Sequence, residues 1–281
     1  MYPSEKIVKE CLSLFTSCDG NIVDVPGVGR TVLYEEPLIG FASASDDIFT
    51  TFCREGVVGP NYMAPSGWLP SAKTVIAFFL PFSDAVRVSN RADMLEPSIE
   101  WLYARIEGQE FIGNYMRSID RFLADKGIAS CVPSLDERFG VKIETIERGN
   151  GPDFHADSKW SERHAAYAAG LGTFGLSRGL ITTKGMAGRF ASIIISEEIE
   201  PTPRGYTGID DYCVKCGACM RNCPAQAISL EYGKNNMKCN EHVEKMKAKF
   251  SPRYGCGKCQ VKVPCETMAP GLRRRASHTN D

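Results

Sequence analysis

The stretch Cys213-Val214-Lys215-Cys216-Gly217-Ala218-Cys219-Met220-Arg221-Asn222-Cys223-Pro224 decides how the rest of the chain is read. Three thiols at a spacing of three, then a fourth before proline, form the ligand pattern of a [4Fe–4S] cubane. A cubane needs four thiolates converging on one small cluster. The C-x2-C-x2-C run lets a tight loop wrap three of its corners, while the fourth thiol enters a helix and serves a neighbouring cluster.

A second group of thiols is therefore expected downstream, and Cys239, Cys256, Cys259 and Cys265 follow, with Cys256-Gly257-Lys258-Cys259 forming a second C-x2-C. Between Cys239 and Cys256 the segment EHVEKMKAKF is rich in helix formers and predicts a short helix before Pro252. Crossed ligation assigns Cys213, Cys216, Cys219 and Cys265 to one cluster, and Cys223, Cys239, Cys256 and Cys259 to the other. Two alternatives stand beside it. One is a single cubane plus a zinc site built from Cys239, Cys256, Cys259 and Cys265. The other is a [3Fe–4S] cluster with one thiol idle.

The remaining composition describes an ordinary globular protein. The chain has 281 residues with 43% hydrophobic and 24% charged content, enough for a sizeable core. A formal net charge of −1 creates no overall field to recruit nucleic acid or an anionic membrane. The exception is Arg273-Arg274-Arg275, in a basic tail over 269–281 that reads as a solvated end or a phosphate contact. No run of eighteen apolar residues predicts a membrane span. The N-terminus MYPSEKIVKECLSLF lacks the apolar core of a signal peptide and any twin-arginine motif. Reduced thiols also suit the cytoplasm. Cys11, Cys18, Cys53 and Cys131 have no ligand spacing and read as buried free thiols.

Cysteine usage divides the chain: four of the twelve lie in residues 1–205 and eight in 213–265. The stretch Glu200-Pro201-Thr202-Pro203-Arg204-Gly205 has the composition of a boundary. Residues 1–200 are read as an α/β domain and 206–268 as a cluster-binding module. In the first part, SEKIVKECLSLF predicts a helix capped by Ser4. KTVIAFFL at 73–80 predicts a buried strand, and 98–126 a long amphipathic helix closed by Gly127. SERHAAYAAG at 161–170 is helical with Ser161 as cap. GLITT at 179–183 and RFASIIIS at 189–196 read as strands joined by a Gly185/Gly188 turn, in the manner of a hairpin.

Gly170-Leu171-Gly172-Thr173-Phe174-Gly175 matches G-x-G-x-x-G, but a dinucleotide fingerprint follows a strand and opens a helix. Here the order is reversed. The glycines read either as a helix C-cap or as a loop kept small so that a flat cofactor can approach the backbone.

The stretch SERHAAYAAGLGTFGLSRGLITTKGMAGRF, followed by DYCVKCGACMRNCPAQAI, resembles the corrinoid-dependent iron–sulfur reductases. This group includes the epoxyqueuosine reductases of tRNA modification and, more distantly, the reductive dehalogenases. The resemblance is clearest over roughly residues 155–265. It implies a nitroreductase-like α/β (α+β) sandwich holding cobalamin, followed by a ferredoxin-like module with two [4Fe–4S] clusters. By that likeness Gly170, Gly172 and Gly175 line the corrinoid site, with Phe174 and Arg178 as neighbours. Asp157, in Asp157-Ser158-Lys159-Trp160-Ser161-Glu162-Arg163, takes the place of the family's proton donor, in a stretch one residue shorter and without its proline. The other reading of Asp157 is a turn residue leading into the helix. The last ligand group also differs: five residues separate Cys259 from Cys265, and Pro264 precedes the final thiol.

The chain ends soon after the clusters, without the C-terminal extension that many epoxyqueuosine reductases use on tRNA. The resemblance thus implies a flavodoxin or ferredoxin as electron donor and a small-molecule or nucleoside-like substrate, or a partner corrinoid protein. It leaves tRNA as a weaker alternative for which the basic tail is the only independent hint. The competing reading is a ferredoxin-like electron carrier or reductive activator with no substrate chemistry of its own, with Lys215, Lys258 and Lys262 exposed toward an acidic redox partner. His155, His164 and His242 invite a metal or acid/base role. His164 reads as a partly exposed or core-satisfied histidine, and His155 as a member of a proton path, since the resemblance implies a lower corrin face free of protein ligand. Trp160 reads as core.

Overall fold

The computed structural model describes residues 3–149 and 151–272. Its centre is a four-stranded sheet in the order Leu38–Ser43, Thr74–Pro81, Gly188–Ile195, Ser130–Cys131, with every neighbouring pair antiparallel. The strand Thr74–Pro81 explains the layering, because all eight of its residues are buried. Side chains alternate across a strand. Ile76, Phe78 and Leu80 therefore enter one core, while Val75, Ala77 and Phe79 enter another.

On the first face lie the helices Ser4–Ser17, through Ile7, Cys11 and Phe15, and Ile99–Asp125, through Trp101, Phe111, Tyr115 and Leu123. On the second lie Ile48–Phe52, Pro65–Trp68 and Glu162–Ala168, joined by Trp160. The result is a three-layered α+β sandwich. Burying each such Leu, Ile or Phe contributes roughly 1.5–3 kcal/mol, so a strand covered on both sides is its most stabilising element.

The long helix begins where expected, with Ser98 Oγ accepting the Trp101 amide at 3.2 Å. It closes before Gly127, whose φ of +71° a side chain rarely adopts. The first helix differs by one position: Pro3 occupies its N-cap and Ser4 is already helical. Ser161 does cap Glu162–Ala168 by position, but its hydroxyl bonds the His164 ring at Nδ1 (2.8 Å) and caps no amide.

The two strands expected as a hairpin exist but do not pair with each other. Leu180–Thr182 pairs with Gly172–Phe174, whereas Gly188–Ile195 crosses into the main sheet between Thr74–Pro81 and Ser130–Cys131. The all-apolar Ile193-Ile194-Ile195 needs cover on both faces, which a two-stranded ribbon lacks and the sheet centre supplies. A further hairpin, Val141–Arg148 with Gly151–Ser158, carries Asp157. Asp157 thus sits on a strand rather than in a turn leading into the helix.

After the linker comes the helical turn Ala218–Arg221, a short hairpin of Ile228–Ser229 with Gly233–Lys234, and the helix Asn236–Phe250. This part is fastened to the sandwich at several points. Asn235 Nδ2 donates to Pro152 O at 3.0 Å, Tyr212 N donates to Thr173 Oγ1 at 2.8 Å, and Arg253 pairs with Glu107. Of the expected tail, Ala269 is buried and the Gly271 amide donates to Tyr212 O at 3.0 Å. Arg273, Arg274 and Arg275 lie outside the described residues. Among the described residues no helix is long and apolar enough to cross a membrane.

Candidate functional site

Cys213, Cys216, Cys219 and Cys265 line one small cavity. Its other wall is sandwich: Gly175, Leu176, Ser177, Ile181 and Met186. Cys216 is exposed, so this group has a solvent side. Burial, then the neighbouring thiols, pushes the Cys219 and Cys265 thiols up to about 12. Protons must therefore leave when a metal group loads.

The displaced spacing before Cys265 does not remove it from the group. Its carbonyl accepts the Met186 amide at 2.9 Å, and Met186 and Ala187 also donate to Glu266 O. Gly185 permits this contact, because a Cβ there would meet Glu266 O at 2.2 Å. Next to the thiol, the buried Glu266 carboxylate takes Arg91 Nη2 at 2.5 Å and Nε at 3.0 Å, and the Lys262 amide at 2.8 Å. The zinc set drawn from sequence is thereby divided, since Cys265 faces Cys213 and its neighbours.

The other four thiols form their own electrostatic neighbourhood. Cys256 feels Cys259 and Cys239, and Cys259 feels Cys239 and Cys223. Burial drives both up, Cys256 to about 12. Cys219 is felt most strongly by Cys259, which puts the two groups side by side.

The sandwich positions this second group through two residues without a motif. Asp153 is fully buried and its Oδ1 accepts the amides of Asn236 (2.6 Å) and Met237 (3.0 Å), while Oδ2 pairs with Arg148 Nε at 2.8 Å. A carboxylate there satisfies orphan donors and complements the dipole of the helix that carries Cys239. Asn90 Nδ2 donates to Cys256 O at 3.1 Å. Lys258, between Cys256 and Cys259, is buried rather than exposed toward a partner, because Asn90 accepts its ammonium. Lys215 is exposed but paired with Asp210 at 2.8 Å, and Lys262 is exposed.

Gly170 and Gly172 pack closely against protein, and Gly175 lines the thiol cavity. Gly170, at φ +77°, closes the helix: its amide donates to Tyr167 O and that of Leu171 to Ala166 O, a Schellman pattern. A Cβ at Gly172 would meet Ile181 O at 1.9 Å, so the facing strand demands glycine there. At Gly175 it would meet the Ile181 side chain at 3.0 Å. Phe174 packs against His164 and Tyr167, with centroids 4.8 and 6.0 Å away. Arg178, at φ +59°, lends its carbonyl to Arg163 Nη1 at 2.8 Å. These contacts account for the three glycines without a bound corrin.

Asp157 is buried, and both its oxygens face Asn61, which donates from Nδ2 (2.5 Å) and from its amide (3.1 Å). Gly59 makes room, since a Cβ there would lie 2.2 Å from Asp157 Oδ1. Nearby, His155 Nε2 lies 2.8 Å from Val58 O. His164 is wedged against Phe52, and burial lowers its pKa to about 3, so it stays neutral. Trp160 is core, stacked on Tyr62 and Phe49. Of the cysteines without ligand spacing, Cys11 is buried, whereas Cys18, Cys53 and Cys131 are half-buried.

The fold and the thiol groups define an α+β sandwich bearing an iron–sulfur module. Residues 206–229 match the family model described as the 4Fe-4S binding domain. Solved structures share this fold over most of the present chain. Epoxyqueuosine reductase from Bacillus subtilis aligns with a TM-score of 0.51 at 18% identity, over 93% of this chain and 64% of that one. An epoxyqueuosine reductase with an epoxyqueuosine-modified tRNA-Tyr stem loop gives 0.53 at 17%, over 93% and 64%. A reductive dehalogenase whose structure suggests a mechanism for B12-dependent dehalogenation gives 0.50 at 14%, over 97% and 38%. This chain therefore spans just under two thirds of those epoxyqueuosine reductases and a smaller share of the dehalogenase. No curated protein matches the sequence.

Proposed function

We propose that the protein is an iron–sulfur reductase that moves electrons through two [4Fe–4S] clusters toward an acceptor held by the sandwich. The observation that supports this reading is that Cys213, Cys216, Cys219 and Cys265 line one cavity, while Cys256 and Cys259 have Cys239 and Cys223 as charged neighbours. Cys213, Cys216, Cys219 and Cys265 hold the solvent-side cluster, and Cys223, Cys239, Cys256 and Cys259 the inner one. When bound, the clusters supply one-electron transfer. The chain's own part is to fix the inner group's ligands through Asp153 and Asn90 and to balance its charge with Lys258. The exposed Cys216 face suits docking of a flavodoxin or ferredoxin.

A corrinoid acceptor is the finer part of the reading, supported by the fold shared with a B12-dependent dehalogenase. The packing at Gly170 and Gly172 has a structural reading of its own, so no step is routed through a corrin. The exposed Cys216 side equally suits the second reading, an electron carrier or reductive activator for a partner's corrinoid. Titrating the anaerobically reconstituted protein with cobalamin, followed by optical and EPR spectra, separates the two. Saturable one-to-one binding with a changed cobalt signal supports the corrinoid reductase. Full clusters without cobalamin binding leave the carrier.

A further inference from the structure

Of the five sandwich residues that wall the cavity of Cys213, Cys216, Cys219 and Cys265, Ser177 alone has a polar side chain. The others, Gly175, Leu176, Ile181 and Met186, are apolar. Ser177 is 4% exposed, yet its hydroxyl has no hydrogen-bond partner among the described residues. Buried hydroxyls are normally paired, so an unpaired one facing a cavity points to something held there. Lys215, the remaining polar side chain of the wall besides the thiols, is turned to Asp210 at 2.8 Å.

The turn that carries Ser177 is fixed by its own backbone. It joins Gly172–Phe174 to Leu180–Thr182 and is closed by Gly175 N to Gly179 O and Arg178 N to Gly175 O, both at 2.8 Å. Leu176 and Ser177 occupy its centre, and their amides have no acceptor among the described residues. Arg178 follows at φ +59°. Successive free N–H groups in such a turn form a concavity that suits an anionic group. Gly179 then brings the hydroxyl to the thiol side. A Cβ there would meet Ser177 Oγ at 3.5 Å and Met186 Sδ at 3.8 Å, and Met186 Sδ lies 3.3 Å from Cys265 Sγ. The hydroxyl therefore lies beside the thioether that touches the last thiol.

We propose that the Ser177 hydroxyl donates a hydrogen bond to a sulfur of the cluster held by Cys213, Cys216, Cys219 and Cys265, and so raises its reduction potential. This rests on that cluster being a [4Fe–4S] cubane, as the proposed function has it. Reduction adds one electron, supplied by the flavodoxin or ferredoxin donor, and with it one negative charge; no bond breaks and no proton moves. A hydrogen bond to that charge is stronger in the reduced state, so a fixed donor shifts the equilibrium toward reduction. The sandwich thereby sets how readily electrons enter the module.

An EPR-monitored redox titration of the full chain with both clusters, with dithionite as reductant, tests this. Ser177→Ala should make the solvent-side cluster about tenfold harder to reduce, a fall of about 59 mV for one electron, with the inner cluster unchanged. Ser177→Thr keeps the hydroxyl and should hold the wild-type potential. Ser13→Ala, at an exposed serine of Ser4–Ser17, should shift neither cluster. Iron assays and thermal melts confirm that each variant is loaded and folded. An unchanged potential in fully loaded S177A, or an equal fall in S177T, overturns the role of Ser177 and leaves the reductase reading standing. Wild type with no cubane on Cys213, Cys216, Cys219 and Cys265 overturns both.

Discussion

The Lys258 ammonium lies 2.8 Å from the carbonyl oxygen of Asn90 and 2.7 Å from its Oδ1, with both residues fully buried. The same asparagine donates to Cys256 O and accepts the Ser98 amide at 3.0 Å. A buried cation is thus fixed between two ligand positions by a residue of the sandwich. Burial lowers its pKa to about 8, while the Cys256 thiolate opposes that shift.

A fixed positive charge favours the reduced, more negative cluster. Lys258→Met should therefore make the inner cluster harder to reduce by on the order of 100–200 mV, for one charge roughly 4–8 Å away in an effective dielectric near 20. Lys126→Met, an exposed residue just after Ile99–Asp125, should leave both potentials unchanged. An EPR-monitored redox titration reads the difference.

Cys265 is the ligand whose spacing departs most from the usual pattern, yet it shares a cavity with Cys213, Cys216 and Cys219. Cys265→Ser should remove iron from the solvent-side cluster alone or convert it to a [3Fe–4S] centre. Cys131→Ser should retain full iron, because that thiol bonds Asp136 on the far side of the fold. Iron assays with EPR of the oxidised protein distinguish these outcomes.

Glu266 ties Arg91 and the Lys262 amide to the segment after Cys265. Its removal leaves cations facing a void. Glu266→Ala should cost about 3 kcal/mol in urea unfolding. Glu244→Gln, at an exposed pair 3.8 Å from Lys247, should cost less than about 0.5 kcal/mol.

Glu162 carries a pH dependence. Its carboxyl is buried with Oε1 unpartnered, Oε2 accepts Ser192 Oγ at 2.5 Å, and Trp160 Nε1 donates to that same hydroxyl. Burial raises its pKa from 4.5 to about 7. The folded state therefore binds the extra proton between those values. The stability from the protonated form is complete below about pH 4.5 and lost as pH rises through about 7, by up to about 3 kcal/mol. Glu162→Gln should flatten that slope in melts across pH 4–8.

Legibility from sequence followed burial. Thr74–Pro81 and Ile99–Asp125 were readable because each buries a continuous or periodic apolar face. The hairpin Val141–Arg148 with Gly151–Ser158 was not, since nearly every residue of its first strand is exposed and shows no buried alternation. Both groups of thiols could be read from spacing, because a cubane's corners constrain the loop locally. Lys258 could not be placed, because the residue that buries it lies 168 positions away. Asp153 and Asn61 share that character: each acts through a contact that no local pattern encodes. The reversed order of helix and strand did exclude a dinucleotide loop, and Gly170 serves as the helix cap that order implied.

The central claim is two cubanes on eight thiols, and metal content after anaerobic reconstitution tests it most directly. The account predicts about eight irons per chain, no zinc, and magnetically interacting clusters in the reduced EPR spectrum. About four irons with one zinc would contradict it.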